Sequence, residues 1–152
     1  MKNVYSPAVF ANSGALVAPP ASAKDISRCN ADLIHAGFPE LPKDYADFLR
    51  THNGFAFDSL ELYGTDTVTD SETDFELADI VPATEDFNDC YVNEDYLDID
   101  YSLLNFGRWN GDYFTYDPQS GKYQVRSHEC ITDIWDEYDS FASFFEKEVN
   151  RW

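Results

Sequence analysis

Basic residues are scarce in this chain of 152 residues, in which 10 Lys and Arg stand against 29 Asp and Glu. The formal net charge is −19. Such a charge repels nucleic acids and anionic membranes, and it attracts cationic partners. The composition therefore argues against binding to nucleic acid or to a membrane, and it favours a basic protein partner.

Cysteine is also rare, and long apolar runs are lacking. Cys29, Cys90 and Cys130 are widely spaced and form no C-x-x-C pair, which is typical of reduced thiols in a cytoplasmic protein. No apolar run approaches the roughly 18–20 residues that a membrane-spanning helix needs. Ala21-Ser22-Ala23 resembles a signal-peptidase site, but Pro19-Pro20 interrupts the apolar stretch that a secretory signal requires. We therefore expect a cytoplasmic protein.

The motifs of common enzyme and nucleotide sites are missing. The sequence has no G-x-S-x-G, no P-loop, no G-x-G-x-x-G and no cysteine with an accompanying histidine signature. Asp98 and Asp100 would project from one face of a strand as paired carboxylates, although such a pair is expected by chance in so acidic a chain. We predict a non-enzymatic protein without a cofactor.

Metal-binding residue types are present, but their spacing does not fit the common sites. Residues 70–74 supply carboxylates at positions 1, 3 and 5 of an EF-hand-like loop. Phe75 and Val81 then stand where that loop needs Gly and Glu. His128 and Cys130 are the closest pair of zinc-ligand types, and Cys130 in an apolar stretch is more typical of a small core residue. We predict no specific metal site, and non-specific binding of divalent ions by the acidic residues stays open.

The N-terminal part of the chain predicts an extended arm followed by a helix. Prolines and glycine leave no room for a helix in residues 1–20, so we assign these residues to an arm and residues 21–152 to a single domain. A helix is predicted over 22–36, and Gly37 ends it. Its apolar face comprises Ile26, Cys29, Leu33 and Ile34.

Residues 41–54 give the clearest helix prediction in the sequence. Tyr45, Phe48 and Leu49 recur at the spacing of one buried stripe. Asn53-Gly54 then supplies the left-handed residue that commonly ends a helix. The pattern predicts an amphipathic helix that anchors the scaffold.

The middle of the chain gives weaker signals. Three segments are assigned in chain order: a strand over 59–63, a polar loop over 65–74 and a strand over 75–81 that Pro82 closes. Residues 83–97 stay ambiguous, because Phe87, Cys90 and Tyr91 have helical spacing between strongly acidic flanks.

Residues 101–126 predict an antiparallel meander. Strands are expected over 103–106, 113–116 and 122–126, with tight turns between them. An edge strand or bend over 131–135 follows, and Asp139-Ser140 caps a last helix. That helix has one apolar face of Phe141, Phe144, Phe145, Val149 and Trp152. The element order predicts an α+β fold in which helices cover one face of an antiparallel β-sheet.

The aromatic residues of the meander leave two interpretations open. They line a peptide-binding groove, or they form core on one face and cross-strand pairs on the other. The residues concerned are Trp109, Tyr113, Phe114, Tyr116 and Tyr123.

Three segments resemble the SUKH superfamily of Smi/Knr-like proteins. Residues 41–54 are similar to the family pattern LP-x-D/S-Y-x-x-F-L-x-x-x-N-G. Residues 111–125 resemble its glycine-turn and aromatic strand motif, and 141–145 match its F-x-x-F-F helix. The resemblance implies a SUKH-like α+β fold and a role as an immunity protein that binds and neutralises a toxin. The alternative within the family is an intracellular scaffold or regulatory adaptor without a toxin partner.

Residues 51–107 contain fifteen carboxylates and no Lys or Arg. Two interpretations stay open, namely solvated loops of an acidic protein or a docking face for a cationic toxin domain such as a nuclease. We assign the docking face to seven residues, and expect a monomer or weak homodimer. The seven are Glu85, Asp86, Asp89, Glu94, Asp95, Asp98 and Asp100.

Overall fold

The structure is a computed structural model that describes residues 14–150. The predictions for residues 1–13 and for Trp152 lie outside these residues. Within the described range the chain forms four α-helices, two of which continue into a π-helical turn. The helices are α1 (Ala23–His35), α2 (Lys43–Leu49), α3 (Ile80–Phe87) and α4 (Phe141–Phe144), and the π-helical turns are Asn88–Val92 after α3 and Phe145–Val149 after α4.

The strands of the described residues form one seven-stranded antiparallel sheet and a separate two-stranded hairpin. The sheet order is β1-β2-β3-β6-β7-β8-β9, so strands adjacent in the sheet are consecutive strands of the chain, except that β4 and β5 come between β3 and β6. The strands are β1 (Leu16–Val17), β2 (Phe55–Phe57), β3 (Leu60–Leu62), β4 (Val68–Thr69), β5 (Glu76–Leu77), β6 (Leu104–Trp109), β7 (Asp112–Asp117), β8 (Lys122–Arg126) and β9 (Ile134–Tyr138). The predicted α+β fold with an antiparallel meander is confirmed.

The main core lies between one face of the sheet and the helices α1, α2 and α4. Tyr45 of α2 meets Phe141 of α4 edge to face, with ring centroids 4.9 Å apart. Phe144 packs in the same way on Phe114 of β7 at 4.8 Å and on Phe106 of β6 at 5.0 Å. Large aromatic rings in such contacts bury more apolar surface than aliphatic side chains. They explain how a chain with this many charges retains a substantial core.

The aromatic residues of the meander divide between the two faces of the sheet. Phe114 and Tyr123 are buried in the main core, and Trp109 and Tyr116 pack half-buried against it. Tyr113 belongs to a second, smaller apolar cluster. Successive residues of a strand point to opposite faces, so Tyr113 and Phe114 separate. Four of the five residues therefore pack in or against the main core, and Tyr113 lies on the other face beside its cross-strand partners, which agrees with the core interpretation.

The first helix follows its prediction closely. Ser22 caps α1 by accepting a hydrogen bond from the Asp25 amide at 3.0 Å, and the Asp25 carboxylate accepts from the Ser22 amide at 2.9 Å. Cys29 and Leu33 are buried as predicted. The prediction for Ile34 is wrong, because that side chain is 54% exposed. Ile34 follows Leu33 directly, and a step of one residue rotates it away from the buried stripe.

The end of the second helix differs from its prediction. Helix α2 stops at Leu49, four residues before Asn53, so Asn53-Gly54 does not terminate it. Gly54 instead has φ +113° at the entry to β2, a conformation that only glycine adopts without strain. The Asn53 side chain accepts from the Thr65 amide at 2.8 Å and donates to the Thr65 hydroxyl at 2.9 Å. The pair therefore fixes β2 and the segment after β3 rather than the helix end.

The segment between β3 and β6 also departs from its prediction. The polar loop predicted over 65–74 contains β4, and the strand predicted over 75–81 is limited to Glu76–Leu77. Pro82 does not close a strand but lies in the first turn of α3, where its missing N–H leaves no helical hydrogen bond unmade. Asp79 caps that helix by accepting from the Val81 amide at 2.9 Å.

Near the C-terminus the edge strand and the last helix are confirmed with shifted bounds. The strand expected over 131–135 is β9, Ile134–Tyr138, and it pairs with β8. Ser140 caps α4 by accepting from the Ser143 amide at 3.1 Å. Cys130 lies exposed in the loop before β9, so its predicted place in the core is wrong.

At the other edge, Leu16 and Val17 pair with Ala56 and Phe55 of β2. Residues assigned to the N-terminal arm thus add a short strand to the sheet. The division of the chain at residue 20 stays a prediction.

Candidate partner-binding surface

The seven carboxylates predicted to bind a partner lie on one continuous stretch, residues 85–100, which we call the acidic segment. Glu85 and Asp86 are on the outer side of α3, and Asp89 is in the π-helical turn that follows. Glu94 and Asp95 lie in the next turn, where Asp95 has φ 60°. Asp98 and Asp100 are in the irregular stretch that leads to β6. All seven side chains are exposed.

Side chains of α3 and of its π-helical turn attach the acidic segment to the sheet in place of a neighbouring strand. β6 pairs with β3 over Gly107–Trp109, and among residues 14–150 no strand lies beside the start of β6 on that edge. Thr84 accepts from the Asn105 amide at 3.1 Å, and its hydroxyl lies 3.5 Å from the Asn105 carbonyl oxygen. Asn88 accepts from the Leu103 amide at 3.1 Å and donates to the Leu103 carbonyl at 2.8 Å.

The spacing of these two side chains suits the strand they serve. Residues four apart on a helix are separated by about 6 Å along its axis. Residues two apart on a strand are separated by about 6.8 Å. Thr84 and Asn88 therefore reach Asn105 and Leu103 in register, and both are fully buried.

A second apolar cluster supports the rest of the acidic segment. Phe87 and Leu97 are buried against Leu103 and Ile131, and Tyr91 packs on this cluster. The Leu97 amide donates to the Tyr91 carbonyl at 2.9 Å, which closes the turn that carries Glu94 and Asp95. The carboxylates are thus displayed on an ordered surface whose inner side chains are apolar.

None of the seven carboxylates has a cationic partner among residues 14–150. Asp89 accepts a hydrogen bond from Asn93 at 2.8 Å, and no ion pair involves any member of the set. Some carboxylates outside the segment are paired: Glu61 pairs with Arg108, and Asp66 with Arg28 at 3.1 Å. The negative charge of the acidic segment is therefore not neutralised locally.

The placement of the carboxylates does not favour catalysis by Asp98 and Asp100 or metal binding by residues 70–74. Asp98 and Asp100 do not belong to a strand, so the strand-based pairing considered above is wrong. Residues 70–74 form the turn of the β4–β5 hairpin, in which Asp70 accepts from the Glu72 amide at 2.9 Å. Across the described part of the chain, no group of three or more His, Cys, Asp or Glu is arranged to hold a metal ion.

A cleft beside the acidic segment was not predicted from the sequence. It has a volume of about 270 Å³ and lies between α3 with its π-helical turn and the sheet face that carries Tyr113. Asp86 is the member of the predicted set that lines it. The helical spacing of Phe87, Cys90 and Tyr91 was a signal for one wall of the cleft. The opposite wall comes from distant strands, and local spacing does not reveal it.

Tyr63 and Tyr113 in the cleft are neutral over the physiological pH range. Burial raises the pKa of Tyr63 to about 12. Burial and a hydrogen bond with Tyr91 also raise the pKa of Tyr113 above its ordinary value. The Tyr91 and Tyr113 hydroxyl oxygens are 2.9 Å apart. Tyr63 and Tyr113 therefore offer aromatic faces and hydroxyls to a ligand, and they carry no charge of their own.

Helices of the kind that crosses a bilayer, long and apolar throughout, do not occur between residues 14 and 150.

Comparison with known proteins places the chain in a family. A search of curated proteins found no match. The model of the SMI1 / KNR4 family (SUKH-1) matches residues 20–147, a range that runs from before α1 into the π-helical turn after α4 and includes the acidic segment. This match covers most of the chain, and it agrees with the resemblance carried by residues 41–54. The chain belongs to the SMI1 / KNR4 family (SUKH-1).

Proposed function

We propose that the protein is a non-enzymatic, immunity-type binding protein whose acidic segment docks on a cationic toxin domain and blocks it. The observation that carries this proposal is the set of seven exposed carboxylates without local counter-ions on a well-packed surface. Family membership supports a role in protein binding. A nuclease domain is a suitable target, since its substrate cleft is basic and an acidic surface would occupy it as nucleic acid does.

Rigid support makes the acidic segment better suited to docking than a mobile acidic loop would be. Ordering a flexible loop on binding costs conformational entropy, which reduces the net affinity. Here Thr84, Asn88, Phe87 and Leu97 already hold the segment in place. Complementary charge then accelerates encounter and selects among partners.

The test is whether an open reading frame next to this protein's gene encodes a toxin domain, and whether this protein protects a bacterial host from that domain. The full chain is co-expressed with that domain, and growth is measured. We expect growth to be restored and the two proteins to purify as a complex. If the toxin domain stays lethal and no complex forms, the immunity proposal is wrong, and the scaffold or adaptor role becomes the better explanation.

Two charge-reversal variants locate the surface in the same assay. The acidic-segment variant carries Glu85→Lys, Glu94→Lys, Asp98→Lys and Asp100→Lys. The matched control variant carries the same change in net charge at exposed positions elsewhere, namely Asp32→Lys, Glu40→Lys, Glu72→Lys and Glu76→Lys. We expect protection to be lost in the first variant and kept in the second. Equal behaviour of the two variants would contradict the assignment of the acidic segment.

A further inference from the structure

The cleft beside the acidic segment has features that the docking of a general acidic surface does not use. Its helix side is formed by Asp86, Phe87, Cys90 and Tyr91, and its sheet side includes Tyr63 and Tyr113. It therefore combines one carboxylate at the rim with aromatic walls. A flat acidic face needs no such concavity, because long-range attraction depends on charge rather than on shape.

The aromatic walls are held in fixed orientations. Tyr91 and Tyr113 meet edge to face with centroids 5.4 Å apart, and their hydroxyls are hydrogen-bonded. Phe87 packs on Tyr113 at 5.2 Å and on Tyr91 at 5.1 Å. Three rings that fix one another lose little freedom when a ligand enters, so the site is pre-organised.

Asp86 gives the cleft a negative charge. Asp86 is exposed, and it forms no hydrogen bond or ion pair with any residue in the range 14–150. The guanidinium of Arg108, next to Tyr113 along the sheet, is paired with Glu61 and does not compensate Asp86. An anionic ligand would be repelled, and a neutral one would leave the carboxylate uncompensated.

We propose that the cleft receives an arginine side chain of the protein partner, with its guanidinium at Asp86 and its plane against the tyrosine rings. This inference rests on the proposed function and specifies one contact within it. A guanidinium is planar, presents a fork of donors that fits a carboxylate, and stacks on aromatic faces. The ammonium of lysine is a compact, strongly hydrated charge without a planar face, so the site favours arginine over lysine.

The test uses three short synthetic peptides and needs no partner protein. Acetyl-Gly-Arg-Gly-amide, its lysine counterpart and its citrulline counterpart are titrated into the isotope-labelled full chain, and backbone amide shifts are followed by NMR. We expect the arginine peptide to shift amides of residues that line the cleft in a saturable way, with Kd on the order of millimolar. The lysine peptide is expected to bind at least about threefold more weakly, and the uncharged citrulline peptide not measurably.

Two substitutions separate the cleft from the general acidic field. Asp86→Asn removes the rim charge, and we expect it to weaken binding of the arginine peptide about tenfold, as loss of a charge-assisted hydrogen bond does. Glu76→Gln removes an exposed charge that neither lines the cleft nor belongs to the acidic segment, and is expected to change Kd by less than about twofold. Both positions are exposed, so folding is not at stake.

A third variant tests whether the arginine peptide enters the cleft itself. Cys90→Phe fills the cleft from an exposed position, and we expect it to abolish saturable shifts while the spectrum stays that of a folded protein. The proposal is overturned if no saturable shifts occur, if the lysine peptide binds as well as the arginine peptide, or if Glu76→Gln weakens binding as much as Asp86→Asn. These outcomes leave the immunity proposal standing, because the acidic-segment variant retains Asp86 and is tested by toxin protection.

Discussion

The carboxylate of Asp44 connects three parts of the fold. It accepts hydrogen bonds from the Tyr45 amide at 3.0 Å, from the Phe141 amide at 2.7 Å and from the Tyr123 hydroxyl. These donors belong to α2, to the first residue of α4 and to β8. One side chain thus fixes how both helices sit on the sheet, which gives a structural reason for an acidic residue in the LP-x-D-Y pattern.

Replacing Asp44 tests this role. Asp44→Ala leaves the buried Tyr123 hydroxyl and the Phe141 amide without their acceptor, and each such loss costs about 1–3 kcal/mol. We expect the free energy of unfolding to fall by about 2–4 kcal/mol in urea titrations. Asp47→Ala on the same helix breaks only an exposed ion pair with Lys43 and should cost less than about 1 kcal/mol. Similar losses for both variants would show that Asp44 makes no special contribution.

Cys29 differs from the other two thiols in its environment. Burial raises its pKa from 9.0 to about 12, and the nearby negative charge of Asp79 acts in the same direction. Cys90 and Cys130 are exposed. The three cysteines should therefore differ in reactivity even though none of them forms a disulfide.

Thiol reactivity and alkaline stability measure this difference. We expect two thiols of the native protein to react rapidly with a disulfide reagent and Cys29 to react only after unfolding. The Cys29 thiol of the folded state retains a proton that the unfolded chain releases near pH 9. The contribution of this thiol to the free energy of unfolding is therefore complete below pH 9, and it is lost as the pH rises towards about 12. In Cys29→Ala the decline of unfolding free energy over that range should be shallower. Rapid reaction of all three thiols in the native state would contradict the assigned burial.

At the scale of elements, helix α3 and its π-helical turn serve partly as a strand. Thr84 and Asn88 satisfy the backbone amide and carbonyl groups of Asn105 and Leu103, beside which no strand lies among residues 14–150. An unpaired edge inside a protein would leave these groups without hydrogen bonds, at a cost in stability. The arrangement also determines where the acidic segment lies relative to the sheet.

Asn88→Ala is the variant that tests this attachment. It removes both bonds to Leu103, and we expect a loss of about 2–4 kcal/mol because the strand groups stay buried and unpaired. Hydrogen exchange of the Leu103 amide should accelerate more than that of amides paired between β7 and β8. Asn93→Ala, which breaks only an exposed bond to Asp89, serves as the control and should leave both quantities nearly unchanged. An unaltered Leu103 amide in Asn88→Ala would refute the role of α3 as a strand substitute.

Sequence patterns predicted some helices and strands correctly and missed others, for physical reasons. Helix α1 and the strands β6 to β8 were predicted well, because capping residues, apolar periodicity and turn residues act locally. Helix α3 was not, since Pro82 suits both the end of a strand and the first turn of a helix. The strand β2 was also missed: it has three residues, and its neighbours in the sheet decide its conformation more than its own composition.

The candidate site was likewise predicted only in part, because sequence patterns report local structure. Exposure of the seven carboxylates followed from their charge alone, because ionised groups stay in water unless they are paired. The cleft did not follow, because Tyr63 and Tyr113 reach it from β-structure well apart in sequence from α3. The roles of Asn53 and Thr65 were hidden for the same reason, as their contact joins two separate elements.

At the scale of the whole molecule, charge and packing are divided between different parts of the chain. Aromatic rings on one face of the sheet form the main core, whereas exposed carboxylates are concentrated between β3 and β6. A net charge of −19 destabilises any folded protein by self-repulsion. A docking role for the acidic segment gives this unfavourable distribution a function.

The central claim is that the acidic segment steers a cationic partner, and stopped-flow association kinetics test it most directly. The toxin domain that co-purifies with the protein is mixed with the wild-type chain, the acidic-segment variant and the matched control variant at low salt. We expect the association rate of the acidic-segment variant to fall by about tenfold or more, and the difference to shrink as salt screens the charges. Rates unchanged in that variant, or lowered equally in the matched control, would contradict the claim.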